Sequence, residues 1–319
     1  GNPNPNVIIN GGMDIWQRGT SQTTPANGNY TADRFRTTNN GNGTRVYSQL
    51  SFAGDGPSGT ALLNYFRYQQ TAAGTGATYN GIAQRIENVG TLAGQTSTFS
   101  FYAKADAART ISVGGYQDSG ASGTGSASFS FTPSTFALST AWQRFSATVT
   151  IPSISGRTIG TNSFLEIGIS FPLNALQTID IAGVQLELGS VATAFRRNAP
   201  SIQAELAACQ RYYYRMNAYS TNARFGHVSM ISSSLAYAVI PFPVTMRAIS
   251  SSVDWTGNAS NYNVYTTSRF VVNSVSGGGG GTLNSVLVSF GVSGAVAGQS
   301  GMVDSGTSAD SFLGFSAEL

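Results

Sequence analysis

The sequence contains one histidine, His227, the residue type most often used for acid–base chemistry near neutral pH. It lies in residues 226–229 (Gly-His-Val-Ser), whose pattern is typical of a strand. A Ser-His-Asp triad needs the imidazole between a nucleophile and an acid, and no Gly-x-Ser-x-Gly turn is present to carry that serine. A structural zinc site usually takes about four nitrogen or sulfur ligands. We therefore expect His227 to be neither catalytic nor a zinc ligand.

Glycoside hydrolysis requires two carboxylates flanking a sugar, so the acidic residues are the next candidates for catalysis. The chain has 14 Asp and Glu residues. The candidates among them are Asp14, Asp33, Glu87, Asp106, Asp118, Glu166, Asp180, Glu187 and Asp254. Basic neighbours favour ion pairing over catalysis, as where Asp33 precedes Arg34 and Glu87 follows Arg85 by two residues. No pattern marks an active site, and we expect a protein that is not an enzyme.

Glycan binding requires less: aromatic rings for the C–H faces of a sugar, and amides, acids or arginines for its hydroxyl groups. The residues of these types that we expect on the outward side of a sheet are Tyr68, Gln84, Glu87, Tyr102 and Tyr116. Aromatic side chains also fill the interiors of β-proteins, and we expect Trp16 and Trp142 in the core. The five outward residues are therefore a predicted glycan-binding set, with ordinary packing as the alternative.

Calcium tolerates scattered oxygen ligands, and Asp14 and Asp180 are the weak candidates for a structural calcium site. No run of alternating acids marks a calcium loop. The single cysteine, Cys209, excludes disulfides within the chain and cysteine-based metal clusters. The glycines at 277–281 are not followed by the Lys and Ser or Thr of a phosphate-binding loop. We expect no cofactor, and no metal beyond that calcium candidate.

These side chains must be positioned by strands, because period-two alternation of apolar and polar residues dominates residues 7–199. The runs with this alternation are 99–104, 129–131, 145–151, 165–171 and 179–188. Gly183 interrupts the last run and predicts a bulge. Strands with turns between them and no βαβ alternation indicate a two-sheet sandwich or jelly roll.

One segment has the pattern of a helix. Pro200 and Ser201 form a start signal, and Glu205 lies near the positive end of the helix dipole. The residues at helical spacing are Ile202, Leu206, Cys209 and Tyr213. A second β-rich region then begins at Tyr212, with strand candidates at 237–240, 264–272, 286–292 and 312–315, and the glycines at 277–281 are expected to form a loop between strands.

The 319 residues correspond to two domains of ~150 residues each. Scarce lysine and glutamate exclude a helical bundle. The predicted fold is all-β. It has an N-terminal arm at 1–6, a jelly-roll β-sandwich at 7–199, a linking helix at 200–215 and a C-terminal β-sandwich-like domain for assembly or adhesion at 216–319.

The formal net charge is +3, and no basic run is longer than Arg196-Arg197. Nothing therefore forms the basic stripe that binds a phosphate backbone, and we expect no nucleic-acid partner. No stretch approaches the ~20 apolar residues of a membrane span, and residues 1–6 lack the regions of a signal peptide. We expect a soluble protein without membrane insertion or an export signal.

The chain opens with two distinctive segments, 7–19 (Val-Ile-Ile-Asn-Gly-Gly-Met-Asp-Ile-Trp-Gln-Arg-Gly) and 30–35 (Tyr-Thr-Ala-Asp-Arg-Phe). They resemble the start of bacteriophage tail-fibre and head-spike virion proteins that carry a carbohydrate-binding-module-like jelly roll. Residues 81–87, 99–104 and 142–145 are similar to internal strands of the module, and 182–195 to its end. Residues 206–213 (Leu-Ala-Ala-Cys-Gln-Arg-Tyr-Tyr) resemble the junction that follows, and 241–247 and 316–319 resemble the C-terminal domain.

The resemblance implies a non-enzymatic protein on the virion surface, in the tail or on the capsid, made in the host cytoplasm. It implies host adhesion through surface polysaccharide, with other virion proteins as partners. Repeated copies convert weak sugar contacts into avidity, and the C-terminal half has few charges, so we expect a homotrimer. The alternatives are a structural capsid decoration or tail connector protein without a ligand and, less favoured, a polysaccharide depolymerase.

Overall fold

The computed structural model describes residues 6–41, 43–120, 126–277 and 279–319. Within them the chain is nearly all β-structure with one α-helix, so the predicted all-β class is confirmed. The chain divides into two compact units, one running to Leu206 and including Leu319, the other Ala207–Glu318. Of the predicted N-terminal arm, residues 1–5 lie outside the described residues, whereas Asn6 is buried in the first unit.

The first unit is built from antiparallel strands in two layers. In chain order the strands are β1 (Ser21–Thr23), β2 (Phe35–Asn39), β3 (Arg45–Ser51), β4 (Asn64–Gln70), β5 (Asn80–Glu87), β6 (Thr96–Ala105), β7 (Arg109–Asp118), β8 (Ser126–Leu138), β9 (Gln143–Thr150), β10 (Phe164–Ser170) and β11 (Gln177–Leu188). Sheet A has the order β1-β3-β4-β11-β6-β9, and sheet B has the order β2-β5-β10-β7-β8. A bridge between Thr132 of β8 and Thr148 of β9 joins the two sheets. The result is the jelly-roll sandwich that the alternation predicts.

Apolar side chains from alternate positions of both sheets fill the space between them. Phe101 on β6 is fully buried at the centre of an aromatic group. Its ring centroid lies 5.5 Å from that of Phe99, 5.6 Å from that of Phe136 and 5.7 Å from that of Phe145. Full burial of a side chain of this size stabilises a fold by about 1.5 to 3 kcal/mol. This aromatic group is therefore a main source of stability for the first unit.

The two tryptophans of this unit occupy different places. Trp16 lies in the core, as predicted, and stacks on Phe66 at a centroid distance of 5.7 Å. Trp142 is half-buried on the outer face of sheet A, with its ring 5.3 Å from that of Phe52 and 5.4 Å from that of Tyr65. The core prediction is therefore wrong for Trp142. In the strand that follows, the odd-numbered residues from Phe145 onward point into the core. The even-numbered Trp142 therefore lies on the outer side of the same alternation.

Strand β11 contains the predicted bulge at Gly183. Its pairing with β6 shifts register between Ala182 and Gln185, and Gly183 has a φ of +57°. A side chain is strained at this φ. Space is also limited, because a Cβ on Gly183 would lie 3.0 Å from Cδ2 of Tyr102 and 3.0 Å from Cδ1 of Leu62. The bulge therefore lets the Tyr102 ring lie directly against the backbone of β11.

The helix α1 spans Ile202–Gln210. The Ser201 hydroxyl accepts a hydrogen bond from the Ala204 backbone N–H at 3.2 Å, as an N-cap does. The Glu205 carboxylate accepts hydrogen bonds from the backbone N–H groups of Asn10 and Ala199, and burial raises the pKa of Glu205. No helix among the described residues is long and apolar enough to cross a membrane.

The helix is shorter than the predicted segment 200–215. It ends at Gln210, and Tyr213 already pairs with Ser316 in an antiparallel ladder. Cross-strand pairing therefore overrides the helical spacing of Tyr213, because tertiary contacts outweigh local propensity. Cys209 is buried, as expected for a small core residue.

The second unit contains two sheets. Its strands are β12 (Tyr213–Asn217), β13 (Arg224–Ser232), β14 (Leu235–Pro241), β15 (Val253–Trp255), β16 (Asn263–Tyr265), β17 (Arg269–Val271), β18 (Ser274–Gly277), β19 (Ser285–Gly291), β20 (Ser300–Asp304) and β21 (Phe312–Ser316), with a 3-10 turn at Ala259–Asn261. One sheet has the order β12-β21-β15, and the seven-stranded sheet has the order β17-β16-β20-β13-β14-β19-β18. A separate core includes Val264, Val288, Phe290 and Phe315.

Two predicted segments of this unit differ in detail from the structure. The strand predicted at 264–272 is a hairpin of β16 and β17, because the Thr266 N–H donates to the Ser268 carbonyl at 2.9 Å and reverses the chain. The loop predicted at 277–281 lies between the paired strands β18 and β19, although Gly277 itself belongs to β18. Gly278 lies outside the described residues. His227 is exposed on β13.

Candidate functional site

Two of the five predicted glycan-binding residues lie inside the sandwich, so their predicted outward placement is wrong. Tyr68 is fully buried, and its hydroxyl donates to Oε1 of Gln70 at 2.8 Å. Burial raises the pKa of Tyr68 to about 12, which keeps that hydroxyl protonated. Gln84 is also buried, and its amide accepts from the Ile9 N–H and donates to the Ile9 carbonyl, each at 2.8 Å. Both side chains are buried and hydrogen-bond within the fold.

The other three predicted residues are at the surface, on two faces of the sandwich. Tyr102 lies on the outer face of sheet A, half-buried against Gly183. Tyr116 lies on the outer face of sheet B. Glu87 follows Arg85 by two residues on β5, so it emerges on the same outer face of sheet B. The structure therefore brings Tyr116 and Glu87 to one face and separates Tyr102 from them.

A shallow depression of about 190 Å³ crosses the outer face of sheet B. Its floor has short side chains or none, because Gly168 pairs with Gly114 on one side and with Ala83 on the other. The nearest atom to a Cβ on Gly114, outside residues 113–115, would be the Phe129 carbonyl oxygen, 4.0 Å away, so the space above Gly114 is open. Glycine inside a strand often marks a close approach to a ligand. We call this depression the sheet B groove.

One wall of the sheet B groove is a network centred on Glu166. Oε2 of Glu166 accepts hydrogen bonds from Nε of Arg85 at 2.9 Å and from Nη1 of Arg36 at 3.0 Å. The Tyr116 hydroxyl lies 3.5 Å from the same oxygen. The Arg85 guanidinium also lies 4.2 Å from the ring centroid of Phe164, at cation–π distance. These contacts hold four polar side chains and the Phe164 ring in fixed positions.

The electrostatics of this wall favour hydrogen bonding to a polar ligand. Burial, followed by the Glu166 carboxylate, raises the pKa of Tyr116, so its hydroxyl stays protonated and can donate. Arg85 also donates from Nη1 to the Leu319 carbonyl oxygen at 2.9 Å and from Nη2 to the Tyr116 hydroxyl at 3.4 Å, so the guanidinium that keeps more of its N–H donors is that of Arg36, which donates from Nη1 to Glu166. Glu166 is the only carboxylate among the described residues that line the depression. Glycoside hydrolysis usually needs two, so nothing in this lining points to that reaction.

Sequence reasoning did not find most of this site. The sequence marks Glu166 only as a catalytic candidate and Arg85 only as a neighbour of Glu87, and it does not single out Arg36. The signal that was present is the pair of glycines, Gly114 and Gly168, in the middle of two strands.

The two calcium candidates are paired with basic side chains. Oδ2 of Asp14 lies 2.8 Å from Nη2 of Arg197. Asp180 accepts from Arg67 at 2.7 and 2.8 Å, and its Oδ2 lies 3.8 Å from Nζ of Lys104. Among the described residues, no group of three or more His, Cys, Asp or Glu side chains could hold a metal ion.

Solved structures with partial similarity to this chain include carbohydrate-binding modules. A CBM4 module is 20% identical and matches over 57% of this chain and 100% of its own, with a TM-score of 0.33. The CBM22-1 xylan-binding domain of Paenibacillus barcinonensis Xyn10C is 8% identical and matches over 59% of this chain and 97% of its own, with a TM-score of 0.34. The enzymatically active domain of bacteriophage CBA120 tailspike protein 4 is 14% identical and matches over 58% of this chain and 21% of its own, with a TM-score of 0.35. No protein-family model and no curated protein matches the chain.

Proposed function

We propose that the first unit binds carbohydrate in the sheet B groove. The observation that carries this proposal is a floor of glycine and alanine beside Glu166 and Tyr116, which hydrogen bonds from two arginines hold in place. A saccharide chain needs room for its rings and hydrogen-bond partners for its hydroxyl groups. Gly114 and Gly168 supply the room, and the network around Glu166 supplies donors and acceptors.

The network also limits the entropy lost on binding. Arg36 and Arg85 are long side chains, and each would lose rotamer freedom if a ligand had to order it. Their hydrogen bonds to Glu166 order them before a ligand arrives.

Binding of neutral oligosaccharides on a glycan array, followed by calorimetry on any ligand found, tests this proposal. Gly114→Val fills the open space on the floor and is tolerated in a strand, so we expect at least tenfold weaker binding with the fold intact. Tyr116→Ala should also weaken binding. Tyr219→Ala is the matched control, because Tyr219 is 85% exposed and belongs to the second unit. Equal binding by all four proteins would contradict the proposal.

We further propose that this is a virion-surface protein, as a tail fibre or head spike, in which glycan binding serves adhesion to the host. The support is the resemblance of residues 7–19 and 206–213 to such proteins. On this proposal the protein is not an enzyme and needs no cofactor. Mass spectrometry and immunogold labelling of purified virions test the location, and incubation with host polysaccharide followed by a reducing-end assay tests for depolymerase activity.

A second candidate function, a structural decoration or connector protein without a ligand, is favoured by one surface of the second unit. Tyr265, Met302 and His227 lie side by side across the seven-stranded sheet, and Tyr265 and Met302 are exposed. Val239 on the neighbouring strand is 65% exposed. Exposed apolar rows of this kind favour contact with another protein.

Sedimentation of the full chain distinguishes the two candidates when it is combined with the glycan measurements. A mass three times that of the 33.2 kDa chain, lost in Val239→Asp, would support the proposed homotrimer. A trimer that binds no glycan would favour the structural role. A monomer at working concentration would contradict the proposed homotrimer.

A further inference from the structure

A second depression, of about 530 Å³, lies on the outer face of sheet A. Tyr102 contributes to it from β6, the loop between β3 and β4 contributes Thr60, and the chain after β11 contributes Phe195, Arg196 and Arg197. It shares no lining residue with the sheet B groove, which lies on the opposite face of the sandwich. We call it the sheet A pocket.

Two aromatic side chains of the sheet A pocket are held by the fold. The half-buried Tyr102 ring rests against the backbone at Gly183, where the bulge leaves no side chain in the way. The Arg144 guanidinium lies 5.7 Å from the centroid of the same ring. Phe195 is half-buried and packs, like Tyr102, against the cluster formed by Leu62 and Tyr65. The pocket therefore presents aromatic surface in a fixed place, as the C–H face of a sugar ring requires.

The charges around the sheet A pocket are not balanced. Arg197 is paired with Asp14, whose Oδ2 lies 2.8 Å from Nη2 and 3.0 Å from Nε. The Arg196 side chain is exposed and makes no hydrogen bond or ion pair with any described residue. The Arg144 side chain donates to the Ser100 hydroxyl and the Thr193 carbonyl but has no carboxylate partner in the described part of the chain.

The acids near the pocket do not offset these arginines. No carboxylate belongs to the described lining of the pocket. Glu187, close in sequence, is buried, and it accepts hydrogen bonds from Nε2 of Gln185 at 2.7 Å and from the Thr193 N–H at 2.9 Å. Its acceptor capacity is used inside the fold. The pocket therefore combines aromatic surface with a guanidinium group that has no counter-charge.

We propose that the sheet A pocket is a second saccharide site and that it takes a sugar residue carrying a carboxylate. A guanidinium group binds a carboxylate through two parallel N–H donors, and Arg196 has its donors free for this. Tyr102 and Phe195 provide the apolar surface for the ring of the same residue. The choice of a saccharide rests on the proposed function, whereas the preference for an acid rests on the unpaired arginine.

Matched pairs of polymers test the proposal on the full chain. The probes are polygalacturonate, hyaluronate and polysialic acid, each compared with its carboxyl-reduced form, which keeps the linkage and loses the charge. We expect at least one acidic polymer to bind, its reduced form to bind at least tenfold more weakly, and binding to weaken as salt is added.

Three variants in the pocket and one control outside it locate the binding. Arg196→Gln changes an exposed side chain and should weaken binding of the acidic polymer at least tenfold while the thermal transition stays unchanged. Tyr102→Ala should weaken binding as well, and Tyr102→Phe should largely retain it. Arg157→Gln removes the same charge from a residue that lines neither depression, so it should bind like the parent.

The outcomes separate this proposal from the one for the sheet B groove. Neutral glycan binding that is lost in Gly114→Val, with no acidic polymer bound, would overturn the pocket alone. Acidic polymer binding that is lost in Arg196→Gln and kept in Gly114→Val would support the pocket alone. Equal weakening by Arg196→Gln and Arg157→Gln would show attraction to net charge and would overturn the pocket as a site.

Discussion

Replacing Glu166 should destabilise the first unit, because one carboxylate oxygen holds two arginines. Oε2 of Glu166 lies 3.0 Å from Nη1 of Arg36 and 2.9 Å from Nε of Arg85, and the three side chains are 10%, 15% and 21% exposed, in that order. At an effective dielectric constant of about 20, opposite charges ~3 Å apart attract by about 5 to 6 kcal/mol before desolvation is subtracted. Removing one partner of a buried pair typically costs about 3 to 5 kcal/mol. Because both arginines reach solvent, we expect Glu166→Ala to lower the free energy of unfolding by a little less, about 2 to 4 kcal/mol.

Three further variants test the charge of Glu166 and its pairing with Arg36. Glu166→Gln keeps an acceptor oxygen and loses the charge, so its hydrogen bonds become about half as strong, and we expect a loss of about 1 to 2 kcal/mol. Arg36→Ala removes one of the two pairs and leaves the contact of Arg85 with Phe164 in place. The double variant Arg36→Ala/Glu166→Ala should then be less destabilised than the sum of the single changes, with a coupling of about 1 to 3 kcal/mol.

Urea unfolding followed by tryptophan fluorescence measures these effects. In a Trp255→Phe background, the remaining tryptophans, Trp16 and Trp142, both belong to the first unit and report its transition alone. If Glu166→Ala changed the free energy of unfolding by less than about 0.5 kcal/mol, or if the single changes added, then Glu166 would not hold the two arginines in solution.

Three other substitutions test the core, the helix start and the bulge. Phe101→Ala empties a fully buried position and should lower the free energy of unfolding by about 3 to 5 kcal/mol in the same urea experiment, and a loss below about 1 kcal/mol would contradict the packing described. Burial raises the folded-state pKa of Glu205 above its ordinary value of 4.5, so this group contributes stability that is full below that pH and is lost as the pH rises through the folded pKa. The stability of the parent relative to Glu205→Gln should therefore fall as the pH rises above 4.5, and a constant or growing difference would refute this. Gly183→Ala, strained by its φ and by contact with Tyr102, should cost about 1 to 3 kcal/mol in thermal or urea unfolding, and clearly more than Gly114→Ala, because Gly114 has no positive φ and its Cβ would have its nearest neighbour, the Phe129 carbonyl oxygen, 4.0 Å away.

Strand alternation was the part of the fold that the sequence could predict. Residues 99–104 alternate strictly, and in β6 Phe99, Phe101 and Ala103 are buried while Tyr102 and Lys104 are not. Alternation works here because successive side chains of a strand point to opposite faces. The bulge at Gly183 was predictable for the same reason, because it breaks the alternation.

The alternation fails where both faces of a strand carry aromatic residues. In β4, Tyr65, Phe66 and Tyr68 are all buried, so composition alone does not say which of them points inward. Tyr68 faces the core, and its ring stacks on that of Phe171 at 4.6 Å. Gln84 was misplaced for another reason, because its buried amide is satisfied by the backbone of Ile9, 75 residues away. A long-range partner of this kind leaves no signal beside the residue.

The candidate site could not be predicted because it depends on strand order. Arg85, Glu166 and Tyr116 lie on β5, β10 and β7, which are adjacent in sheet B but far apart along the chain. No spacing rule connects residues on three strands that become neighbours only through long connections. Their outward direction can be predicted from alternation, whereas their contact cannot.

The two proposed sites should act independently because they lie on opposite outer faces of one sandwich. The layers of a β-sandwich are about 10 Å apart, and the residues that line the two depressions share no member. Effects of substitutions separated by more than about 7 to 10 Å without shared partners usually add. For a polymer carrying both neutral and acidic sugars, the free-energy losses from Gly114→Val and Arg196→Gln should therefore sum in the double variant. A double variant no weaker than the worse single variant would mean that one depression alone contacts the polymer.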